Sequence, residues 1–417
     1  MPSCAQRNSA DEGDVEKAVA AASDPAAAEA LVALMEEISD QPLYRNNSIQ
    51  LLVDGPATHG AMLEAIAAAE NHIHFETYIF ADDEIGAKFA RAFTAKAQDG
   101  VAVRIIYDSV GSRDSRDKFF ARMEQAGVEV VEFNPIEPGR GAAGEEVDTR
   151  DHRKLMVVDG AVAFTGGLNV DRTYAQSSKA VSGHAGGAGW RDTHVAIRGP
   201  AVEGFQRLFV GLWNSLDGKP IVARDLPGPP ENEGDALVRV LSAVGGNDSM
   251  SAIRVAYAAA IGAAVATIDI TQSYFAPDEA FVRALQEAAA RGVGVRILVA
   301  GISDSKLLLN ASRAHYADLL DAGVRVYESQ EAILHAKTAV IDGVWSTVGS
   351  SNLDSLSFIH NHEVNAAIVD LEFGAQMEDL FELDLAHSRE IEREAWARRS
   401  MWQRAKELWS TLLNSRL

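Results

Sequence analysis

Hydrophobic and polar positions in the first half of the chain switch repeatedly between two periods. Apolar residues three or four apart are typical of helices, whereas short apolar runs are typical of buried strands. Read in order, the pattern predicts a helix at 58–70, a strand at 72–80, a helix at 84–98, a strand at 101–107, a helix at 115–126 and a strand at 128–133. This alternation predicts an α/β fold in which helices sandwich a mixed β-sheet.

The second half of the chain repeats this order of elements. The segment at 73–75 corresponds to 268–270, and the segment at 126–128 corresponds to 322–324. A duplicated unit predicts two lobes related by a pseudo-two-fold axis. The predicted divisions are an N-terminal helical extension at 1–45, a first lobe at 46–216, a proline-rich linker at 217–234, a second lobe at 235–385 and a C-terminal amphipathic helix at 386–417.

The most informative repeat is a pair of segments, HRKLMVVDGAVAFTGGLN at 152–169 and HAKTAVIDGVWSTVGSSN at 335–352. The recurring positions are His152, Lys154, Asp159, Gly166 and Asn169, matched 183 residues later by His335, Lys337, Asp342, Gly349 and Asn352. Histidine and lysine two residues apart project from the same face of a strand. Because lysine supplies charge, asparagine supplies N–H donors and neutral histidine can be a nucleophile, the segments predict a site that binds and attacks a phosphate.

Composition narrows the choice of partner and compartment. The chain has 417 residues and a net charge of −22, which disfavours a nucleic-acid-binding surface. Its single cysteine, Cys4, excludes a disulfide framework and a thiolate metal site. Mean hydropathy is −0.06, and no apolar run reaches the roughly 18 residues that a membrane-spanning helix needs. Without a secretory signal pattern, we expect a cytoplasmic protein.

The pattern H-x-K-x4-D-x6-G-[S/G]-x-N, present twice, resembles the HKD motif of the phospholipase D superfamily. The Gly-Gly corner at 166–167 and the Gly-Ser corner at 349–350 are similar to those of bacterial cardiolipin synthases. The resemblance covers roughly residues 45–385. Many cardiolipin synthases carry N-terminal membrane spans, whereas this sequence resembles the shorter members without them.

The resemblance implies that both motifs build one active site for a double displacement at phosphorus. It assigns His152 as the nucleophile, giving a phosphohistidine intermediate, and His335 as the general acid and base; the residues alone are symmetric on this point. The implied phosphate-binding groups are Lys154, Lys337, Asn169 and Asn352, with Ser350 tightening its corner or donating one more hydrogen bond. No cluster with metal-ligand spacing is evident, so we expect neither a metal nor another cofactor.

Four acidic residues are candidates for supporting roles. Asp159 and Asp342 belong to the motif but lie at the far turn of each hairpin, where the sequence favours a turn former before glycine over a catalytic carboxylate. Asp192 and Glu363 are better placed to orient the imidazoles and stabilise an imidazolium. The alternative is that they are exposed acids on a strand.

Glu76 is a candidate substrate-binding residue. It shares one face of a predicted strand with His72, His74 and Tyr78, since alternate residues project to the same side. This face either lines a head-group pocket or is a solvated strand surface.

We therefore expect a monomeric phosphatidyltransferase of phospholipid biosynthesis that makes cardiolipin or a related lipid from phosphatidylglycerol. The alternatives are phospholipase D hydrolysis, a phosphodiesterase or nuclease of the same fold, and a degenerate lipid-binding module. The partners expected are a phospholipid substrate and a membrane surface, with peripheral association and no nucleic acid. The tail at 389–417 is net basic and carries an apolar stripe that includes Trp402 and Trp409, which predicts membrane docking unless the stripe packs on its own domain.

Overall fold

A computed structural model describes residues 42–115, 118–135, 149–182, 189–245, 251–303 and 305–414, together with Ala33. The helices predicted for the N-terminal extension at 1–45 lie outside these residues, apart from Ala33 and the last few positions. The structure opens instead with a strand that begins at Leu43.

The described residues form an α/β fold, which confirms the predicted class. The strands are β1 (Leu43–Val53), β2 (His72–Thr77), β3 (Ala102–Asp108), β4 (Glu129–Phe133), β5 (Leu155–Val158), β6 (Val162–Gly166), β7 (Thr193–Arg198), β8 (Ala236–Ala243), β9 (Thr267–Gln272), β10 (Phe275–Ala276), β11 (Gly294–Ala300), β12 (Arg325–Ser329), β13 (Lys337–Ile341), β14 (Trp345–Gly349), β15 (Leu353–Asp354), β16 (Glu363–Val369) and β17 (Ser388–Glu390). The helices are α1 (Asp54–Ala68), α2 (Glu84–Gln98), α3 (Lys118–Gln125), α4 (Lys179–Ser182), α5 (Val202–Ser215), α6 (Ala252–Ala263), α7 (Glu279–Ala290), α8 (Lys306–Ala314), α9 (Tyr316–Asp321), α10 (Leu371–Ala386), α11 (Arg393–Ala397) and α12 (Met401–Asn414).

The two lobes share one continuous sheet of 15 strands, in the order β17-β12-β11-β9-β13-β14-β16-β8-β1-β7-β6-β5-β2-β3-β4. Read outward from the β8–β1 junction, both lobes have the same order, as a duplication predicts. The two sheets join because β1 is long enough for two partners. Its first half pairs with β8 and its second half with β7.

Asn47 makes this change of partner within β1 possible. The pairing register shifts there, and the buried carboxamide replaces ladder hydrogen bonds by donating to the carbonyls of Tyr44 and Ala236 and accepting from the Ala201 amide. The predicted lobe boundaries at 46 and 235 therefore divide the sequence repeat but not the sheet.

A shared apolar core holds the lobes together. Phe205, Phe209 and Trp213 project from α5 and pack with Val340 and Val364 of the second lobe. Burying each large side chain contributes about 1.5–3 kcal/mol relative to exposure. The lobes are thereby fixed with the ends of β5 and β13 that carry the two motif histidines facing each other.

The tail at 386–417 differs from the single amphipathic helix predicted from its sequence. Ser388–Glu390 extends the sheet as β17 against β12, and Ile391 is buried in the second-lobe core. The chain then forms the two helices α11 and α12. The unpaired edge of β12 accounts for the difference, since an open strand edge favours pairing with a nearby extended segment.

Candidate active site

Each motif histidine lies just before a strand and is held by backbone from the other lobe. The His152 amide donates to the His362 carbonyl at 3.0 Å, and the His335 amide donates to the Arg191 carbonyl at 2.7 Å. Single parallel bridges, Asp151 with His362 and Arg191 with Leu334, extend these contacts. The segment before β5 therefore runs beside the one entering β16, and the segment before β13 runs beside the one entering β7.

In this arrangement each motif histidine pairs with a carboxylate from the other lobe, and we call these the crossed pairs. Nδ1 of His152 lies 2.9 Å from Oε1 of Glu363, and Nδ1 of His335 lies 2.8 Å from Oδ2 of Asp192. Both carboxylates are fully buried. Since each Nδ1 faces a carboxylate, each Nε2 is left as the reactive nitrogen. Both acids lie beside an imidazole, as the sequence had suggested, and each of them serves the histidine of the other repeat.

The two histidines differ in their further partners. The Ser350 hydroxyl donates to Oε2 of Glu363 behind His152. Behind His335, the Tyr174 hydroxyl lies 3.0 Å from Nδ1. Burial, followed by the charge of Asp192, raises the pKa of Tyr174 well above its usual value, so this hydroxyl stays neutral. The site is therefore only approximately symmetric.

The two lysines are buried next to the histidines. Nζ of Lys154 donates to the His152 carbonyl at 2.6 Å, and Nζ of Lys337 donates to the His335 carbonyl and, at 2.8 Å, to the Ser273 hydroxyl. Burial lowers the pKa of Lys154 to about 7; Glu363 opposes this shift and the second lysine adds to it. An anion between the two lysines would favour the charged form of both, so the site suits an anion.

The asparagine carboxamides have their oxygen atoms occupied. Oδ1 of Asn352 accepts from the Ser273 hydroxyl at 2.8 Å, and Oδ1 of Asn169 accepts from the Ile79 amide at 3.2 Å. A carboxamide whose oxygen accepts in this way turns its NH₂ group elsewhere. Both side chains can therefore donate to phosphate oxygens.

Burial lowers the pKa values of both histidines. The pKa of His335 falls to about 4, through burial first and the charge of Lys337 second. The pKa of His152 is also lowered by burial, with Glu363 opposing the shift. Both imidazoles are consequently neutral at pH 7 before an anion enters.

Asp159 and Asp342 lie at the far turns of their hairpins, away from the histidines. Both have positive φ, 53° and 54°, which an aspartate before glycine tolerates. Asp159 accepts the amides of 70–72, and Asp342 accepts those of 265–267. They tie the hairpin turns to the start of β2 and β9, which is a structural role.

Glu76 does not lie on a solvated face but lines a small enclosed cavity with Lys154 and Asn169. It is fully buried, 3.5 Å from Nη1 of Arg153, and burial raises its pKa. Arg153 in turn donates to the Glu363 carbonyl at 3.4 Å. Glu76 therefore supports the backbone behind His152 indirectly. The solvated-surface alternative is wrong because α5 covers this side of β2, where Phe209 stacks on His74.

Sequence reasoning missed several residues that shape the site. Arg191 forms a two-pronged ion pair with Asp384, both contacts at 2.8 Å, and anchors the segment that carries Asp192. Ser273 links Lys337 to Asn352. The position of Arg191 beside Asp192 was a usable signal, but nothing local marks Asp384 or Ser273.

Within the described part of the chain, no group of three or more His, Cys, Asp or Glu side chains is arranged to hold a metal ion. None of the helices in the described ranges is long and apolar enough to cross a membrane.

Comparison with known proteins agrees with this geometry. Residues 62–179 and 257–385 match the family model described as cardiolipin synthase, PLD-like domain. Cardiolipin synthase 1 of Bacillus anthracis is 34% identical over 392 residues, covering 92% of this chain and 75% of the relative. The cardiolipin synthase of Geobacillus kaustophilus is 34% identical over 386 residues, with the same coverage.

The fold is also that of solved structures. Phosphatidylserine synthase of Haemophilus influenzae superposes with a TM-score of 0.65 over 93% of this chain and 97% of that one, at 12% identity. Polyphosphate kinase of Porphyromonas gingivalis gives a TM-score of 0.51 at 16% identity, over 81% of this chain and 50% of that one.

The shared sheet and the paired motifs thus define a two-lobe enzyme of the phospholipase D type. More narrowly, the chain belongs to the cardiolipin synthase family and is a phospholipid phosphatidyltransferase.

Proposed function

We propose that this enzyme makes cardiolipin or a related phospholipid by transferring the phosphatidyl group of phosphatidylglycerol to the hydroxyl of a second lipid alcohol. The observation that supports this most directly is the crossed site: two histidines, each on a carboxylate of the other lobe, beside two buried lysines. The relatives named cardiolipin synthase supply the substrate class.

In the first step Nε2 of His152 attacks phosphorus and the P–O bond to glycerol breaks. His335 gives its proton to the departing glycerol oxygen. In the second step a hydroxyl of the acceptor lipid returns a proton to His335, its oxygen bonds to phosphorus, and the P–N bond breaks. Lys154 and Lys337 hold the nonbridging oxygens, with Asn169 and Asn352 donating their NH₂ groups.

His335 must therefore gain a proton when substrate enters. The pKa of His335 is about 4, because burial and Lys337 disfavour the imidazolium. An entering phosphodiester anion offsets the lysine charges and raises this pKa. Asp192 stays ionised, because His335 and Lys337 more than offset the rise in its pKa that burial causes.

The proposal is tested with pure protein and phosphatidylglycerol vesicles, with products identified by mass spectrometry. We expect cardiolipin and free glycerol in equal amounts. Phosphatidic acid as the main product would make water the acceptor and the enzyme a hydrolase. No product, with folded protein, would overturn the proposed reaction.

Activity is expected to be unchanged in EDTA. The lysines and asparagines already neutralise and bind a phosphate, so the proposed steps need no divalent ion. The assay uses detergent-dispersed substrate, because chelators also change vesicle aggregation. Loss of activity that one divalent ion restores would contradict this prediction.

We further propose that the enzyme works as a monomer, associates peripherally with a membrane and binds no nucleic acid. The lipid substrate supports contact with a membrane. The net charge of −22 disfavours binding of nucleic acid.

A further inference from the structure

Among the side chains of α12 that the structure describes, two polar ones are buried and two tryptophans are exposed. Glu407 and Ser410 are only 2% and 6% exposed. On the opposite side, Trp402 and Trp409 are 79% and 66% exposed. A helix packed on a water-soluble domain normally has the reverse arrangement. The two tryptophans stay exposed among the residues that the structure describes, so this face favours a partner.

Hydrogen bonds on the buried side fix this orientation. Glu407 accepts from Nε of Arg399 and from Nε2 of Gln403, both at 3.0 Å. The Gln403 carboxamide also donates to Oδ1 of Asn310 on α8 at 3.2 Å. Turning the tryptophans inward would break these hydrogen bonds, including the one that joins α12 to α8, which is unfavourable. The tryptophans thus point outward because the opposite side of α12, with Gln403 and Glu407, is bonded to α8 and to Arg399.

We propose that the Trp402–Lys406–Trp409 face of α12 docks on an anionic phospholipid surface, an inference that rests on the proposed function. At 100° per residue, Lys406 lies about 40° from Trp402 and about 60° from Trp409 on the same side of the helix, and it is exposed. Tryptophan prefers the interface between head groups and acyl chains, and lysine adds attraction to anionic lipid. Lys406 places a positive charge on this face of a chain whose net charge is −22, which suits an anionic lipid surface.

The place of α12 in the fold agrees with this occupant. It packs on α8, where the Ser312 hydroxyl accepts from the Phe275 amide of β10. Strand β10 pairs with β15, which directly follows Asn352 of the active site. Helix α12 therefore flanks the second-lobe side of the site.

Two further exposed aliphatic residues lie at the active-site end of the second-lobe strands. Ile302, which follows β11, is 46% exposed, and Ile359, just before His362, is 51% exposed. Ile302 follows the end of β11 that is nearer the active site, and Ile359 precedes the end of β16 that begins with Glu363. Neither residue lies near the far turns of the hairpins. Docking through α12 would thus turn the opening of the site toward the bilayer.

The test compares the double variant Trp402→Ser/Trp409→Ser with wild type and with Val265→Ser. Val265 is also exposed, at 50%, but lies at the far turn beside Asp342, so its loss controls for a general change in surface hydrophobicity. Sedimentation with phosphatidylglycerol vesicles is the first measurement. We expect the double variant to bind roughly tenfold or more weakly, and Val265→Ser to bind like wild type.

A charge variant separates the two contributions. Lys406→Glu is expected to weaken binding to anionic vesicles several-fold and to leave binding to neutral phosphatidylcholine vesicles unchanged, since it removes only the attraction to anionic lipid. Equal effects on both vesicle types would overturn the electrostatic part of the proposal.

Turnover of monomeric short-chain phosphatidylglycerol distinguishes failure of docking from failure of the proposed reaction. All variants are expected to keep wild-type turnover on this substrate, and circular dichroism checks that they remain folded. If wild type turns the substrate over and the double variant still sediments normally, the docking surface is wrong. If sedimentation velocity shows that wild type self-associates and the double variant does not, the face is instead a contact between copies of the chain.

Discussion

Replacing either His152 or His335 with alanine is expected to lower turnover by roughly four to six orders of magnitude, and the double variant should be little worse than either single one. One imidazole makes the bond to phosphorus and the other moves the proton, so losing either stops the same reaction. Turnover of phosphatidylglycerol measured on equal amounts of folded protein checks this.

His387→Ala is a matched control for the histidine variants. His387 also holds a carboxylate, Oε2 of Glu331 at 2.8 Å, but it lies after α10 and outside the proposed machinery. It is expected to retain activity. A His152 or His335 variant within tenfold of wild type would refute a mechanism that needs both imidazoles.

Covalent labelling tests which histidine attacks. With substrate labelled in the phosphatidyl group, label should accumulate on His152 in the His335→Ala protein, because the second step also needs the missing base. Label found on His335 in the His152→Ala protein would reverse the assignment. Because the pKa of His335 lies at about 4, that residue is also neutral at pH 7, so electrostatics alone leaves either imidazole competent to attack.

The sequence predicted the fold class and the pair of motifs because a duplicated pattern leaves a signal in one chain. His152 and His335 stand at a constant separation from their lysines and asparagines, and such a spacing is readable without a structure. Asp192 and Glu363 could also be selected as acids, from their equivalent places after the two motifs.

What the sequence could not predict is contact between lobes. Nothing in the spacing indicates that Glu363 bonds to His152 rather than to His335, since this depends on how two sheets join at β1. The burial of Glu76 could not be predicted for a related reason: alternation shows which residues share a strand face, but not whether a distant helix covers it. The tail was misread because pairing of β17 with an open edge overrides helical periodicity.

The crossed pairs predict a second large effect on turnover. We expect Asp192→Asn to lower turnover more than Glu363→Gln does. Oδ1 of Asp192 accepts the Thr193 amide at 2.8 Å while Oδ2 faces His335. A backbone N–H can only donate, so an asparagine keeps its oxygen there and turns its NH₂ toward Nδ1. His335 is then pushed into the tautomer with hydrogen on Nε2. We expect a loss of roughly 10³–10⁴-fold in turnover.

Glu363 has a more adaptable neighbour. Oε2 of Glu363 accepts from the Ser350 hydroxyl, and that hydroxyl can turn its hydrogen to the Val364 carbonyl, 3.3 Å away, and accept from a glutamine NH₂ instead. The glutamine oxygen then stays on Nδ1 of His152 and preserves its tautomer. Glu363→Gln loses the negative charge but not the orientation, so we expect its turnover to fall at least tenfold less than that of Asp192→Asn.

Turnover and the state of the imidazoles are measured together. Nitrogen-15 NMR should show the changed tautomer at His335 in the Asp192→Asn protein, 143 residues away in the other repeat, with His152 unchanged. Asp159→Asn is the control, because Asp159 holds only the backbone of the far turn and should keep wild-type turnover when folded. If Glu363→Gln proves the more damaging change, or if the tautomer shift appears at His152, the crossed pairing does not operate in solution.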